Sequence, residues 1–462
     1  MRWHALLPIS LITLVAGCSL TPKYQKPDVA MPARFAPDRG FEQVQGNVAQ
    51  PSGASWWEVF HDHHLNQLED QLSHNQDAVA ALARLDESRA QLKAAYGAML
   101  PSASLSASTS NVQLSKHRAT YFPGFPNRYT DQQITAQIGW EPDIFGRLHT
   151  QLRIAHNLEN ASQADLRGLQ LSLQAQLARA YFQRVALAMQ LKQQQQLLVD
   201  QQQYIDLVHA KFNAGDATQI DLDQAQLPLQ ALLENQDHTK QLIALQEHIM
   251  ALLIGLPATG YHPQVADHLT DMPLPHSLPS SLLEQRPDIA LAEQQVEIAN
   301  EQIGLARTAY FPQFQLGMGG GYESSALNNL ISVPSELWAL GASAAVTLFD
   351  GGQRKALTQQ ARSHYDETVA NYRQTVLNAY KEVEDDLSSL QQIKMQIQHQ
   401  QQALALAQDQ LLQTNQSEQG GLGNHLDVVA ERLNADNQQL LMTQLAAVQA
   451  ESHVRLLQAL GQ

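Results

Sequence analysis

A chain of 462 residues with 44% hydrophobic content is long enough for two or three ordinary domains or for one extended architecture. Only 16% of its residues are charged and the formal net charge is −16, so no Lys/Arg footprint exists for a phosphate backbone and nucleic acid is disfavoured as a partner. Cys18 is the single cysteine, which rules out an intramolecular disulfide.

At the N-terminus Arg2 supplies a short positive start, Leu6–Val15 is apolar, and small residues precede Cys18. Residues 1–17 therefore read as a secretory signal peptide. The run Leu14-Val15-Ala16-Gly17-Cys18 resembles a bacterial lipoprotein box. That resemblance implies that Cys18 is the acylated first residue of the mature chain, held at the membrane by its acyl chains. A free or buried thiol is the alternative. Ser19, where an Asp would signal otherwise, implies sorting to the outer membrane. No later stretch is apolar for eighteen residues, so any further crossing of a bilayer requires strands in a closed barrel.

Residues 18–60 read as an anchored extended segment, after which the chain is written twice, over 61–257 and 279–462, with a linker at 258–278. Asp77 matches Asp288 and Pro101 matches Pro312, in each case 211 residues apart. Farther on, Gly215 matches Gly421, Asp221 matches Asp427 and Gly255 matches Gly461, each 206 apart.

In the first copy, Leu65–Met99 carries apolar residues three and four apart (Leu68, Leu72, Val79, Leu82) and reads as one helix, stopped by Leu100-Pro101. The period then changes to two. Ala103, Leu105, Ala107 and Thr109 alternate with serines, and Ile134, Ala136, Ile138 and Trp140 alternate with small or polar residues. These predict strands at about 102–115 and 130–140, the alternation expected of a membrane barrel wall. Helical periodicity returns over 145–214 without a proline, roughly 100 Å of helix at 1.5 Å per residue. After a glycine turn it resumes over 216–254, where Pro228 predicts a kink. The glutamines of 190–203 suggest a wet helix face. The second copy repeats the order: a helix from Leu282 to Ala309, strands at about 312–323 and 337–349, and helices at 354–417 and 425–460.

Four strands cannot close a membrane barrel, whose smallest members have eight, and an open edge in lipid is costly. Spanning strands therefore require several copies, and three would supply twelve strands, with the long helices continuing the wall as a tube. The expected fold is an α+β membrane protein built on a duplicated strand–strand–long helix–helix repeat.

Trp56-Trp57 followed by Phe60, Asp62, Leu65 and Leu68, "GWEPDIFGR" at Gly139–Arg147, "RPDI" at Arg286–Ile289, "YFPQF" at Tyr310–Phe314 and "LFDGG" at Leu348–Gly352 occur in this order along the mature chain. Together they resemble the outer membrane efflux family, which includes TolC, OprM and the NodT-type lipoproteins. The resemblance implies a homotrimer: a twelve-stranded outer-membrane β-barrel continuous with a long periplasmic α-helical barrel. It implies a periplasmic adaptor protein and an inner-membrane RND-type pump as partners, and small toxic compounds as cargo. A type I secretion channel for polypeptides would share the fold, and a lipid-anchored periplasmic scaffold without a pore is a reading from another class.

Gly215 and Gly421 stand just past long helices, where a C-terminal cap is expected, and an aspartate soon after can serve the next helix start. The resemblance implies that these turns are the periplasmic tips, with Asp427, and also Asp221, facing the pore constriction. Ala430 stands where some members carry a second acid and Gly423 where TolC carries an arginine, which leaves a single ring. The same turns, Gly215-Asp216 and Gly421-Leu422, are the implied adaptor-docking tips. His61, His63 and His64 read as solvated loop histidines, with no second cluster to complete a metal site. "GMGGGY" at Gly317–Tyr322 lies in a strand pattern without the helix a dinucleotide fingerprint needs. No nucleophile elbow or acid–base pair is present, so no catalytic residue, cofactor or enzymatic activity is expected.

Overall fold

The computed structural model describes residues 20–30, 35, 55–269, 283 and 285–461. Cys18, the signal segment and Leu282 lie outside them. After a 3-10 turn at Trp56–Phe60 come helices α1 (His63–Glu69) and α2 (Gln76–Gly97), strands β1 (Ser102–Gln113) and β2 (Arg128–Trp140), and helices α3 (Arg147–Ala214) and α4 (Gln219–Leu253). The second half holds α5 (Pro287–Thr308), β3 (Gln313–Ser324), β4 (Glu336–Ala345), α6 (Gln353–Gln419) and α7 (His425–Ala459). Matched elements agree in length. Helices α2 and α5 both have 22 residues, α3 and α6 have 68 and 67, and α4 and α7 both have 35. No helix among the described residues is long and apolar enough to cross a membrane.

The helix expected over Leu65–Met99 is two helices with a 3-10 turn, Asp70–His74, between them. The break is made by Asn75. Its backbone is extended, its Oδ1 accepts from the Asp77 and Ala78 amides to cap α2, and its Nδ2 donates to the Leu253 carbonyl at 2.8 Å. The position matching Asn75 in the second copy is Arg286, and the position matching Leu253 is Ala459. Arg286 Nη1 donates to the Ala459 carbonyl at 2.6 Å, and its other nitrogens pair with Asp288 and Glu382. Two different side chains thus tie off the C-terminal ends of the two equivalent helices.

The chain packs as two compact units. One comprises Met1–Pro27, Arg84–Gln163 and Leu291–Tyr372, and the other Asp28–Ala83, Ala164–Ala290 and Arg373–Gln462. The first unit holds a four-stranded antiparallel sheet in the order β1-β2-β3-β4. Its register pairs Leu105 with Ala136, Thr135 with Gly321 and Leu316 with Ala342. Gly321 is needed there, because a Cβ would strike the Ile134 carbonyl of β2. Within the chain β1 and β4 each keep one edge unpaired, and large apolar side chains such as Leu105 and Trp338 (81% exposed) stand out from the sheet. Strand β4 ends at Ala345, short of the expected 349. Ala345 pairs with Gln313, the first residue of β3, and the residue before it is Pro312, which has no N–H to extend the ladder.

In the same unit, residues 20–26 form a strap along α5. Arg307 donates to the Leu20 carbonyl at 3.0 Å, Asn300 to the Pro22 carbonyl at 2.9 Å, and Lys26 pairs with Glu293 at 2.9 Å. Glu301 accepts from both Thr21 and Arg153. Gly304 leaves the room that Thr21 occupies.

The second unit holds the main hydrophobic core. Trp56, Trp57, Phe60, Leu65 and Leu68 pack on the Leu173–Val185 stretch of α3, on Met250 and Leu253 of α4, and on Val454 of α7. Asp62 organises this corner. Its Oδ1 caps α1 by accepting from His64 and Leu65, and its Oδ2 accepts from the Tyr181 hydroxyl at 2.6 Å. The Tyr181 oxygen in turn accepts from the Ala266 amide. The glutamines of 190–203 do not form a uniformly wet face. Gln194 is 2% exposed, Gln193 donates to Thr443, and the buried Gln201 donates to the Ala225 carbonyl at 2.8 Å.

Candidate functional site

The two glycine turns are built on one plan. After α3, Gly215 takes φ 84°, its amide donates to the Phe212 carbonyl and that of Asp216 to the Lys211 carbonyl. After α6, Gly421 takes φ 74°, its amide donates to the Glu418 carbonyl and that of Leu422 to the Ser417 carbonyl. Both are Schellman closures, in which the left-handed residue is glycine because a Cβ is penalised there. Four residues from Gly215 the chain is helical again.

The helix starts differ in how they are capped. Thr218 Oγ1 accepts from the Asp221 amide, while the Asp221 carboxylate accepts from both the Thr218 amide and hydroxyl at 2.7 Å, a closed capping box. These bonds, the backbone one foremost, hold the Asp221 carboxyl below the usual carboxylate range. At the other turn Asn424 Oδ1 accepts from the Asp427 amide at 3.1 Å. The cap is made there without help from the acid. Among the described residues the Asp427 carboxylate accepts no hydrogen bond and stands in solvent. Of the two sequence-expected acids, Asp221 is occupied by its own helix start and Asp427 is free.

The flanks differ as well. Asp216 and Leu422 occupy equivalent positions and both are exposed, Leu422 by 89%. One turn thus presents a carboxylate and the other an isobutyl group.

Behind the turns the α3–α4 pair is held by Ile205, Val208, Leu222 and Ala225, against which Leu426 of α7 packs. Helix α7 also meets α3 through polar side chains. His425 bridges Glu418 Oε1 (2.8 Å) and Gln203 Nε2 (2.9 Å), and Arg432 Nη1 donates to Asp200 Oδ1 (3.1 Å) and Gln203 Oε1 (3.4 Å). The carboxyl of Asp436 lies against that of Asp200. Sequence reading missed this group, since Asp200 and Arg432 are 232 residues apart. A lone acid at 200, inside the glutamine run of 190–203, was the one local sign of it.

His63 contacts Gln67, and no cluster of three or more His, Cys, Asp or Glu side chains among the described residues is placed to hold a metal.

Comparison with known proteins adds the context. The family model for outer membrane efflux proteins matches residues 68–253 and 278–462. The chain is 27% identical over 457 residues to a probable efflux pump outer membrane protein, TtgC of Pseudomonas putida, covering 97% of this chain and 93% of that one. It is 30% identical over 450 residues to the cation efflux system protein CusC of Escherichia coli, covering 94% of both. The crystal structure of the Campylobacter jejuni CmeC outer membrane channel superposes with a TM-score of 0.85 at 21% identity, covering 96% of this chain and 95% of that one.

Proposed function

We propose, from the premise that this chain belongs to the outer membrane efflux protein family, that three copies form the exit duct of a tripartite pump for small toxic compounds. The chain is an outer membrane efflux channel, and the finer assembly is our reading. The observation that carries it is the sheet. Four consecutive antiparallel strands leave β1 and β4 as free edges of opposite direction, so β4 of one copy can continue the ladder at β1 of the next. Two copies would give eight strands, a bore that side chains alone fill; three are the fewest that leave a lumen. Closure would remove the free edges and place the exposed apolar side chains against lipid.

Each copy then brings one Asp427, and we assign the ring at the periplasmic constriction to this acid. Asp221 we assign to helix capping. The turns at Gly215-Asp216 and Gly421-Leu422 are the surfaces offered to a periplasmic adaptor, and an inner-membrane pump of the RND type supplies the energy, since a passive duct has none. Acylated Cys18 adds the lipid anchor. Leu20 is held at the C-terminal end of α5, and the two residues back to Cys18 span at most about 7 Å. The acyl chains would therefore enter lipid close to the foot of β3.

Purified chain is expected to form a heat-resistant barrel and to give a discrete conductance in planar bilayers. Asp427→Ala is expected to weaken cation preference and block by divalent cations. A chain that stays monomeric and conducts nothing would leave the pore-free scaffold as the better reading. A deletion strain that keeps its drug tolerance but fails to secrete a polypeptide would point to type I secretion.

A further inference from the structure

Under the second turn, the seam between α3 and α7 contains two acids and one base in contact. Asp200 is buried to 1% exposure. Its Oδ1 accepts from Arg432 of α7 and its Oδ2 from Gln196 of α3, while the Asp436 carboxyl lies against it. The other oxygen of Asp436, Oδ2, is buried without a hydrogen-bond partner. Asp200 takes the one guanidinium, and Asp436, set against Asp200 without an ion pair of its own, adds a negative charge too many for a partly buried seam, so the group balances only when one proton is shared between the acids. We propose that Asp200, Asp436 and Arg432 form a proton-operated latch between α3 and α7, fastened when the carboxyls share a proton and released when they do not.

The chemistry sets the direction. Burial first, and then the hydrogen bond and charge of Asp200, push the Asp436 carboxyl up to about 6, against the opposing charge of Arg432. A carboxyl raised in the folded chain contributes stability that is complete below the ordinary carboxylate range and is lost as pH rises through about 6. Acidification therefore fastens the seam, and neutral pH loosens it. The other charged groups facing the seam are separable from Asp436. Glu418 of α6 is taken up by His425, a contact that does not involve Asp436 and that the His425→Gln variant below removes. Lys192 of α3 and Asp267 of the linker line the cavity of about 570 Å³ beside Asp436, together with the neutral Gln193 and Gln439. Helix α4 meets this part of α3 with the apolar Leu222 and Ala225. The cavity gives α7 room to shift when the latch opens.

The latch rests on the fold of one chain. Its consequence, easier movement of the turn carrying Asp427 as pH rises, rests on the channel reading above. Hydrogen exchange on the full-length chain in detergent tests the latch itself. Amide protection over 425–440, corrected for intrinsic rates, is expected to be on the order of tenfold greater at about pH 5 than at about pH 7.5. Asp436→Asn, whose amide can donate to Asp200 at any pH, is expected to remove the difference, and His425→Gln to retain it. An unchanged pH response in Asp436→Asn, or its loss in His425→Gln, would overturn the proposal. Should Asp436→Asn not fold, the unsubstituted chain still decides, because protection independent of pH overturns the latch. Bilayer conductance recorded in parallel separates the two readings. A pH-dependent exchange with no conductance would fault the channel and spare the latch.

Discussion

The two copies of the repeat agree in their backbone and disagree in their side chains at the same places. Both close a long helix with a left-handed glycine and the same pair of backbone bonds, and both restart with a residue that caps the third amide of the next helix. In the first copy the acid at that third position is consumed by the cap. In the second, Asn424 caps alone and the acid is released. The same contrast recurs at the other ends of these hairpins, where an amide side chain in one copy does the work of a guanidinium in the other. Duplication preserved what the backbone needs and left the side chains free to take separate work.

The sharpest way to break this comparison is at the helix ends. Arg286→Ala is expected to cost about 2–3 kcal/mol, because it removes a charged donor from the buried Ala459 carbonyl, while Glu382 is exposed enough to return to water. Asn75→Ala is expected to cost about 1–2 kcal/mol, the scale of a helix cap. Denaturant unfolding of both variants checks the order, and equal losses would mean that the two ends are equivalent after all. Next in size, Gly215→Ala and Gly421→Ala are each expected to lose about 1–2 kcal/mol through the left-handed conformation, and equally. A difference between them would mean that one turn is reshaped in the assembly. Asp427→Ala and Asp221→Ala should separate cleanly in kind. The first is expected to alter ion selectivity at unchanged stability, and the second to fray α4 at unchanged selectivity, read by conductance and by amide exchange over 219–225. Smallest is a pH effect. The lowered Asp221 carboxyl contributes to the start of α4 above the ordinary carboxylate range, and that contribution is lost as pH falls through its depressed value. Exchange at the start of α4 should therefore rise only in strong acid, opposite in sign to the response expected at the α3–α7 seam.

Much of this was readable in the amino-acid order because it is local. Period-two alternation placed β1, β2 and β3, and glycine followed by an acid placed both turns. The misses share a cause. The break between α1 and α2 depends on Asn75 reaching Leu253, 178 residues away, and no helical period within Leu65–Met99 reports it. The end of β4 is set by the proline just before β3, legible only once the register is known. The glutamine run promised a wet face because a buried amide and a solvated one look alike until the partner, such as the Ala225 carbonyl, is in place. At the candidate site the two acids looked alike, and only the caps told them apart.

The strap of residues 20–26 carries a consequence for how deep the molecule sits. Five residues of chain separate Arg307, which grips Leu20, from the first pair of rungs on β3. On the acylated chain proposed above, that short tether works as a depth gauge. It would tie the lipid anchor to the foot of β3 and leave the strands little freedom to ride higher or lower. Lengthening the tether between Cys18 and Leu20 with flexible residues would keep every contact of the strap while removing the gauge.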